Sequence, residues 1–302
     1  MNQAIYSLYI DIASEELDWQ PPFPGEKESK NEKAKRNFAD HKDWLVMRQK
    51  EYAEANGIDY FLFENDDKWK QYKKEYQTKY PFLTTYNIVN FYKIHLMYEL
   101  SKTYEEILYL DLDVTPLTTE SFFDAWDLDR GIAIFKNFSY VDPSEQATKK
   151  LEDKFVRFGI NSSVRSPAAK WWNSLAMTVE LGGSVNKNKH PVFNTGIVGI
   201  NRKHLEKLAY FEEFDDMLEL MCELKEDEYS MYPSYVQDMF GWDNETLWAV
   251  KANINDVEIQ WLNSKWHYFM DRQKFIPKDT KLVHAISKEF QFVREYCEKN
   301  NV

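Results

Sequence analysis

The stretch ILYLDLDVTPL, residues 107–117, places two aspartates at the end of one of the most apolar runs in the chain. Its first four residues have the composition of a buried strand, in which an unpaired carboxylate is costly. Because side chains alternate along a strand, we expect Asp111 and Asp113 on one face, with Pro116 ending the strand. The two carboxylates repel each other unless the strand end is solvated or a cation binds there. Carboxylate oxygens in this D-x-D spacing suit Mg²⁺ or Mn²⁺.

Three later segments carry further residue types that can do chemistry. FNTGIVGINR (193–202) contains Gly196, which would let the backbone approach a ligand closely. GWDNETLW (241–248) puts acidic residues at a helix start, where they are common caps as well as candidate catalytic groups. KLVHAISKE (281–289) places His284 on an apolar strand, where a neutral imidazole is either a packed core group or a metal ligand.

Strands and helices alternate through the first half of the chain. This alternation predicts a mixed α/β fold with a mostly parallel sheet and helices on its faces. In such sheets ligands bind beyond the carboxyl ends of the strands, and Asp111 and Asp113 lie at such an end. The predicted elements are strands at 4–12, 58–65, 107–113 and 131–137, a surface loop at 18–36, and helices at about 37–55 and from Thr84–Thr85 onward.

The second half of the chain is less regular, and residues 138–192 show no clear period. The sequence after them predicts a strand over about 190–202, helices through about 203–224, a helix opened by Asp243, strands in VEIQWL and KLVHAIS, and a helical tail. No internal repeat or low-complexity tract occurs. We therefore predict one domain over residues 1–302, with a change of character between about 1–137 and about 138–302.

Composition and charge exclude several classes of function. The chain has 302 residues, with 38 lysines and arginines against 50 aspartates and glutamates, a net charge of −12 and a pI near 5.1. Nucleic-acid binding needs clustered basic residues, so we expect no nucleic-acid partner. The two cysteines give neither a disulfide framework nor a zinc spacing. Without a signal-peptide pattern or an apolar run of about 20 residues, we expect a soluble, cytoplasmic protein with no membrane span.

One interpretation of the two aspartates is phosphate chemistry. YLDLDVTPL resembles the opening hhhhDxDx[TV] motif of haloacid-dehalogenase-like phosphatases, in which the first aspartate is a phosphorylated nucleophile and the second a general acid. Under that resemblance Asp111 would be the nucleophile. The motif usually stands near the start of its domain, whereas about 110 residues of alternating structure precede it here.

The later segments favour a different family. FNTGIVGINR resembles the FN[AST]G segment of GT-A fold glycosyltransferases, particularly the retaining, glycogenin-like (glycosyltransferase family 8-like) group. YLDLDV resembles that group's metal motif, GWDNETLW its DxxxL or D-Q-D helix start, and KLVHAISKE its late H-x-x-G-x-x-K segment. The four segments follow the family's order. Two departures lie in the last segment, where Ser287 replaces the expected glycine and Lys288 follows His284 by four positions rather than six.

The glycosyltransferase resemblance implies a nucleotide-sugar donor, with a UDP-sugar favoured, and a glycan acceptor. Asp111, Asp113 and His284 would hold Mn²⁺ or Mg²⁺ against the charge that grows on the nucleoside diphosphate as it leaves. Lys93 and Lys288 would meet the donor phosphates. The domain would then divide into a nucleotide-sugar and metal half and an acceptor-binding half. The remaining donor-site residues under this resemblance are Tyr9, Asp11, Leu112, Asn194, Thr195 and Gly196, together with Asp111.

The resemblance also assigns catalytic roles to three consecutive residues. Asp243 would contact sugar hydroxyls, with Asn244 or Glu245 near the anomeric carbon. In a retaining reaction one of these groups would stabilise the oxocarbenium-like centre, and the leaving phosphate would take the acceptor proton. In an inverting reaction Glu245 would be the general base for the acceptor hydroxyl. The residues leave both mechanisms open, and the resemblance favours retention.

Aromatic residues provide candidate stacking surfaces for a sugar or a nucleobase, although aromatic side chains are more often core filling. Tyr6 and Tyr9 on the first strand are candidates for contact with a nucleobase. A non-catalytic, sugar-binding descendant of the family also stays open. The sugar, the acceptor, the linkage and the oligomeric state are not determined by these motifs. Candidates for an acceptor-binding floor are Trp171, Trp172, Trp261, Trp266 and Tyr268.

Overall fold

The structure, a computed structural model, describes residues 2–17, 22, 27–138, 162–183, 192–227, 237, 240–272 and 274–302. The chain divides into two compact units. The first unit comprises Met1–Phe135, Gly196–Arg202 and Ile259–Val302, and the second comprises Lys136–Thr195 and Lys203–Glu258. The first break lies close to the change of character that the sequence predicts near residue 137. The assignment of a donor half and an acceptor half to the chain stays a prediction.

A six-stranded sheet dominates the fold. Its order is β2-β1-β3-β6-β5-β7, where β1 is Gln3–Leu8, β2 Asp59–Phe63, β3 Glu106–Leu110, β5 Ile132–Phe138, β6 Val192–Asn201 and β7 Ile259–Trp261. β1 is parallel to β2 and β3, and β5 is parallel to β7, whereas β6 runs antiparallel to β3. A second sheet has the order β4-β9-β8, from Val114–Pro116, Leu282–His284 and Tyr268–Phe269. The predicted mixed α/β class with a mostly parallel sheet is confirmed.

The helices pack on these strands. Their bounds are α1 Lys30–Ala55, α2 Asp67–Lys79, α3 Thr85–Ser101, α4 Phe122–Ala125, α5 Ser162–Glu180, α6 Arg202–Leu208, α7 Phe214–Glu226, α8 Asn244–Ile254 and α9 Phe290–Asn300. Helix α1 contacts β2 and β4, and α3 contacts β3. Among the described helices none is both long and apolar enough to cross a membrane.

Helix starts follow local capping chemistry, and this corrects one prediction. The side chains of Ser29 and Glu32 form a reciprocal capping box, so α1 begins at Lys30 instead of near residue 37. The charged residues 30–36, which the sequence analysis placed in a loop, are therefore its first two turns. Thr84 caps α3 in the same way with Asn87, as predicted from the sequence. Helix α5 corrects the prediction for residues 138–192, because it forms where no regular period is evident.

The strand that leads to the aspartates is shorter than predicted. β3 ends at Leu110, and Asp111 to Val114 form a turn closed by the Val114 N–H, which donates to the Asp111 carbonyl at 2.9 Å. Aspartate favours turns because its short side chain can bond to nearby backbone. Strand alternation therefore does not set the direction of the two carboxylates. Pro116 lies in the edge strand β4, a position that tolerates a missing N–H.

Two apolar clusters form the core of the first unit. One joins β1, β3 and β6 to α4 through residues that include Ile5, Leu108, Ile197 and Phe122. The other joins α1, β9 and α9 and includes Leu45, Val283 and Phe290. The second cluster fixes the end of β9, which carries His284, against α1.

The second unit has its own core, built on helices. Helix α5 packs against α7 and α8. Trp171 of α5 and Trp248 of α8 are both fully buried. A buried indole contributes a large apolar area, so these two helices hold the unit together.

Gly199 on β6 is expected to be sensitive to the smallest substitution. A Cβ there would overlap the Phe122 ring, with Cζ 2.9 Å away, and would lie 3.2 Å from the Leu128 Cδ2 atom. We expect Gly199→Ala to lower the free energy of unfolding by about 1–3 kcal/mol, measured by urea denaturation. The double variant Gly199→Ala/Phe122→Leu should lose less than the sum of the two single losses, because Leu removes the ring. Additive losses would show that the ring is not the obstacle.

Candidate active site

Asp111, Asp113 and His284 form a cluster in the first unit. One ligand atom of each lies within 4.8 Å of the other two. The His284 Nε2 atom is 3.3 Å from Asp113 Oδ2 and 3.8 Å from Asp111 Oδ2. Two carboxylate oxygens and one neutral imidazole suit a divalent ion such as Mn²⁺ or Mg²⁺ and leave coordination positions for other ligands. The structure thus brings together the three residues that the sequence predicts as metal ligands.

The turn that carries the aspartates is held by a buried glutamine of α1. The Gln49 amide donates to the carbonyls of Asp111, at 3.0 Å, and Val114, at 2.8 Å. Its oxygen accepts from the hydroxyls of Ser7, at 2.5 Å, and Tyr60, at 3.0 Å. Gln49 is fully buried, so its amide depends on these four bonds for its hydrogen-bond partners. No motif of the sequence points to Gln49, since it is a lone glutamine in a helix.

His284 is brought to the aspartates by strand pairing. β9 pairs antiparallel with β4, so that His284 lies opposite Val114. The next residue, Ala285, donates its N–H to the Asp113 carbonyl at 2.9 Å. This pairing joins two chain segments that are about 170 residues apart in the sequence.

Gly196 on β6 leaves the room that the cluster needs. A Cβ at this position would lie 2.5 Å from the His284 Cε1 atom and 2.8 Å from Asp111 Oδ2. Any other residue would therefore push one of the two ligands aside. The Gly196 carbonyl accepts from the Asp111 N–H at 2.8 Å, which fixes the approach of the backbone. The predicted close approach at Gly196 involves the metal cluster itself.

Two lysines balance the charge of the two aspartates. The Lys288 ammonium forms a close ion pair with Asp113, which is 3% exposed, and the Lys93 ammonium lies 3.8 Å from Asp111. Burial alone would raise the pKa of Asp113, but the positive charge of Lys288 and the hydrogen bonds from Lys288 and His284 hold that pKa well below its usual range. Asp113 is therefore ionised at neutral pH. Its site can receive a further cation if Lys288 moves away or shares the carboxylate.

Lys288 reaches Asp113 through a tight turn. Its N–H donates to the Ala285 carbonyl at 2.8 Å, and its own backbone is left-handed, with φ of 59°. This conformation is uncommon for a residue with a side chain. With this turn the Lys288 ammonium reaches Asp113, although only four positions separate Lys288 from His284.

A cleft of about 460 Å³ opens beside the cluster within the first unit. It is bounded by the segment after β1, the first turns of α1 and α3, the D-x-D turn and the segment after β9. Asp113 also lies on its wall. Tyr6 does not line the cleft, since it is fully buried and its hydroxyl donates to the Lys93 carbonyl at 2.6 Å. The predicted donor residues on the wall are Tyr9, Asp11, Lys93, Asp111, Leu112 and Lys288.

Asp243, Asn244 and Glu245 form a second polar cluster, within the second unit. Asp243 caps α8, accepting from the N–H groups of Glu245 and Thr246 at 3.0 Å each. The Asn244 amide donates to the Thr195 hydroxyl at 2.9 Å. Glu245 Oε1 accepts from the Thr195 N–H at 2.9 Å and from the Asn194 amide at 3.2 Å. Residues predicted for catalysis and for donor binding therefore share one hydrogen-bond network.

Lys170 of α5 completes this network, and the sequence analysis missed it. Its ammonium forms a close ion pair with Glu245 Oε2 and lies 3.7 Å from Asp243 Oδ1. Both oxygens of Glu245 are thus engaged, and the residue is 8% exposed. Such a carboxylate is a fixed anion that holds its neighbours in place. No motif of the sequence identifies Lys170 as part of the site, because its partner Glu245 lies 75 residues later in the chain.

The predicted aromatic acceptor floor is largely core. Trp171 and Trp172 are 0% and 6% exposed in the second unit, and Trp266 is 5% exposed in the first. Rings this deeply buried have no face available to stack on a sugar, so these three candidates are corrected to packing residues. Trp261, 38% exposed, and the half-buried Tyr268 keep accessible surface.

No known protein family matches the sequence of this chain, and no curated protein does. Among solved structures it is similar to a glycosyltransferase involved in the glycosylation of the major capsid of PBCV-1, at 13% identity and a TM-score of 0.44 over 97% of this chain and 98% of that one. It is also similar to the galactosyltransferase LgtC, at 11% identity and a TM-score of 0.37 over 94% and 87% of the chains, and to mouse xyloside xylosyltransferase 1, at 12% and 0.37 over 76% of each. Such likeness concerns the fold alone.

The ion pair between Asp113 and Lys288 generates a prediction about stability. Asp113→Asn leaves the lysine without its carboxylate, and we expect the free energy of unfolding at pH 7 to fall by about 3 kcal/mol in urea denaturation. Because the pKa of Asp113 is lowered on folding, its stabilising effect is complete above about pH 4 and is lost as the pH falls below that value.

The control for this prediction is the double variant Asp113→Asn/Lys288→Met, which removes both charges. It should be more stable than Asp113→Asn alone, since no uncompensated ammonium remains. A loss in Asp113→Asn that is the same at pH 7 and pH 3, or that adds to the loss in Lys288→Met, would contradict the pairing.

Proposed function

We propose that this protein is a metal-dependent glycosyltransferase that moves a sugar from a nucleotide-sugar donor, with a UDP-sugar favoured, to a glycan acceptor. The observation that carries the proposal is the cluster of Asp111, Asp113 and His284 on the edge of a cleft lined by cationic side chains. Acidic ligands beside lysines suit a substrate that brings both a metal and phosphates. The cytoplasm is the proposed location.

The donor set fits Mn²⁺ or Mg²⁺, and the missing side chain at Gly196 lets His284 and Asp111 lie close together. Asp113 and His284 would hold the ion directly, and Asp111 would share it or bind the donor ribose. A divalent ion bound there supplies positive charge for a departing diphosphate. Lys288 would exchange its contact with Asp113 for one with a phosphate oxygen, and Lys93 would remain beside Asp111 as a second phosphate contact.

The rest of the cleft would hold the nucleoside. Tyr9 and Asp11 line it at the end of β1, and Tyr9 packs against Phe38 with 5.7 Å between ring centroids. The ring of Tyr9 can stack on a base, and the carboxylate of Asp11 can accept hydrogen bonds from the N–H groups of that base. Leu112 adds an apolar side chain to the cleft wall. The cleft has the volume of a site for a small-molecule ligand.

The network of the second unit supports the retaining alternative. A general base must have an oxygen available to the acceptor hydroxyl. In Glu245, Oε1 already accepts two hydrogen bonds and Oε2 forms an ion pair with Lys170. In the retaining reaction the bond from the anomeric carbon to the diphosphate breaks, the acceptor oxygen bonds on the same face, and its proton passes to the leaving phosphate. Asn244 or Glu245 would stabilise the cationic centre, with Asp243, Asn194, Thr195 and Gly196 orienting the sugar.

The first test of the proposal is ligand-dependent thermal stability. We expect nucleoside diphosphates of one base to raise the unfolding temperature only when Mn²⁺ is present, with about 2.7 kcal/mol of added stability at 100 times the dissociation constant. Asp113→Ala should abolish the effect. Asp40→Ala, which changes an exposed aspartate on α1, should leave it unchanged. A response to phosphate or its analogues without any nucleotide response would overturn the proposal in favour of the phosphatase alternative.

A second test separates an enzyme from a sugar-binding protein. We expect Glu245→Gln to lower the rate of donor turnover by about 100-fold, because a fixed anion is lost where positive charge develops. Its nucleotide-dependent stabilisation should persist, since the substitution keeps an accepting oxygen for Thr195. The released nucleoside diphosphate reports the rate. A wild-type protein that binds donor and acceptor but never turns over would identify a non-catalytic descendant.

A further inference from the structure

A second histidine lies directly behind His284. The Nε2 atom of His267 is 3.0 Å from the Nδ1 atom of His284, and the two ring centroids are 5.2 Å apart with 29° between their planes. His267 is 1% exposed. Its other nitrogen, Nδ1, has no hydrogen-bond partner among the described residues. No motif of the sequence draws attention to His267.

Two phenylalanines hold the His267 ring in place. Phe135 lies at 4.8 Å and Phe269 at 4.6 Å between ring centroids. The buried His267 ring is thus fixed among aromatic neighbours. In its neutral form it has one N–H and one accepting nitrogen.

The contact between the two rings constrains where the His284 proton can be. The face of His284 that meets Asp111 and Asp113 is Nε2, so an ion held by the three residues needs the Nε2 lone pair. The proton of a neutral His284 must then reside on Nδ1, where it needs an acceptor. The Nε2 atom of His267 lies at hydrogen-bond distance from it, and the proton of His267 then resides on its own Nδ1.

We propose that His267 is a positioning residue that holds His284 in the orientation and tautomer required to bind a divalent ion together with Asp111 and Asp113. This inference rests on the proposed metal site. It explains why a histidine occupies a buried aromatic position where one nitrogen has no partner among the residues that the structure describes. A buried unpaired nitrogen costs stability, which a phenylalanine packed between Phe135 and Phe269 would not incur.

The test compares a substitution that removes the acceptor with one that keeps an acceptor. His267→Phe keeps a flat ring but has no acceptor, whereas His267→Gln offers a side-chain oxygen near the position of Nε2. We expect His267→Phe to bind Mn²⁺ about 10–100-fold more weakly than wild type in isothermal titration, and His267→Gln to recover most of that affinity. Nitrogen-15 spectra of His284 should show the Nδ1-protonated tautomer in the Mg²⁺-bound wild type. The unfolding temperature of His267→Phe without metal should stay close to that of wild type.

The outcomes separate this inference from the proposal on which it rests. A wild-type protein with no affinity for Mn²⁺, alone or with nucleotide, would overturn the metal site itself and the inference with it. Wild-type affinity in His267→Phe would overturn only the role of His267. Equal loss in His267→Phe and His267→Gln would also overturn that role, because a side-chain acceptor would then fail to restore the affinity. Weaker binding in Phe with recovery in Gln supports it.

Discussion

Repulsion between two neighbouring carboxylates is the constraint on which the first unit depends. Asp111 and Asp113 are fixed within one turn, and Asp113 is almost completely buried. An ionised carboxylate is stable there only because positive or polarisable groups face it. Lys288 and Lys93 provide two positive charges, and His284 adds a nitrogen between the two carboxylates. The two negative charges of the aspartates equal the two positive charges of the lysines. Binding of a metal ion is therefore most favourable when anionic phosphates bind together with it.

Buried polar bonds hold the turn that carries the two aspartates in shape. Gln49 ties the D-x-D turn to α1 through two carbonyls, and the Gly196 carbonyl holds the Asp111 N–H. The Tyr109 hydroxyl donates to Asp111 Oδ1 at 2.5 Å, and burial and the nearby Asp111 raise its pKa, so it remains a donor. A site whose backbone and side chains are both fixed by buried hydrogen bonds loses little entropy when it binds a ligand.

The second unit also holds a polar cluster in place by ion pairs and buried hydrogen bonds. Lys170 places one positive charge among Glu245 and Asp243, while backbone and amide donors from Thr195 and Asn194 complete the shell of Glu245. Asp243 is at the same time an ordinary helix cap. A residue that stabilises a helix start can also present its remaining surface to a ligand, so the two interpretations of this segment are compatible. The network makes Glu245 a fixed anion in either case.

The sequence by itself determined the alternation of strands and helices, the D-x-D motif and the caps at Thr84 and Asp243, because these depend on local periodicity and on bonds within one turn. The early start of α1 could have been predicted from the capping box of Ser29 and Glu32. The high charge of this segment and the prolines before it favoured a loop instead. Only the tertiary structure decided that β6 runs antiparallel to β3 and that Asp111 and Asp113 leave the strand. Gln49, Lys170 and His267 also required it. Each of these residues acts through a partner far away in the chain. The type of a single side chain does not determine which distant group the fold brings next to it.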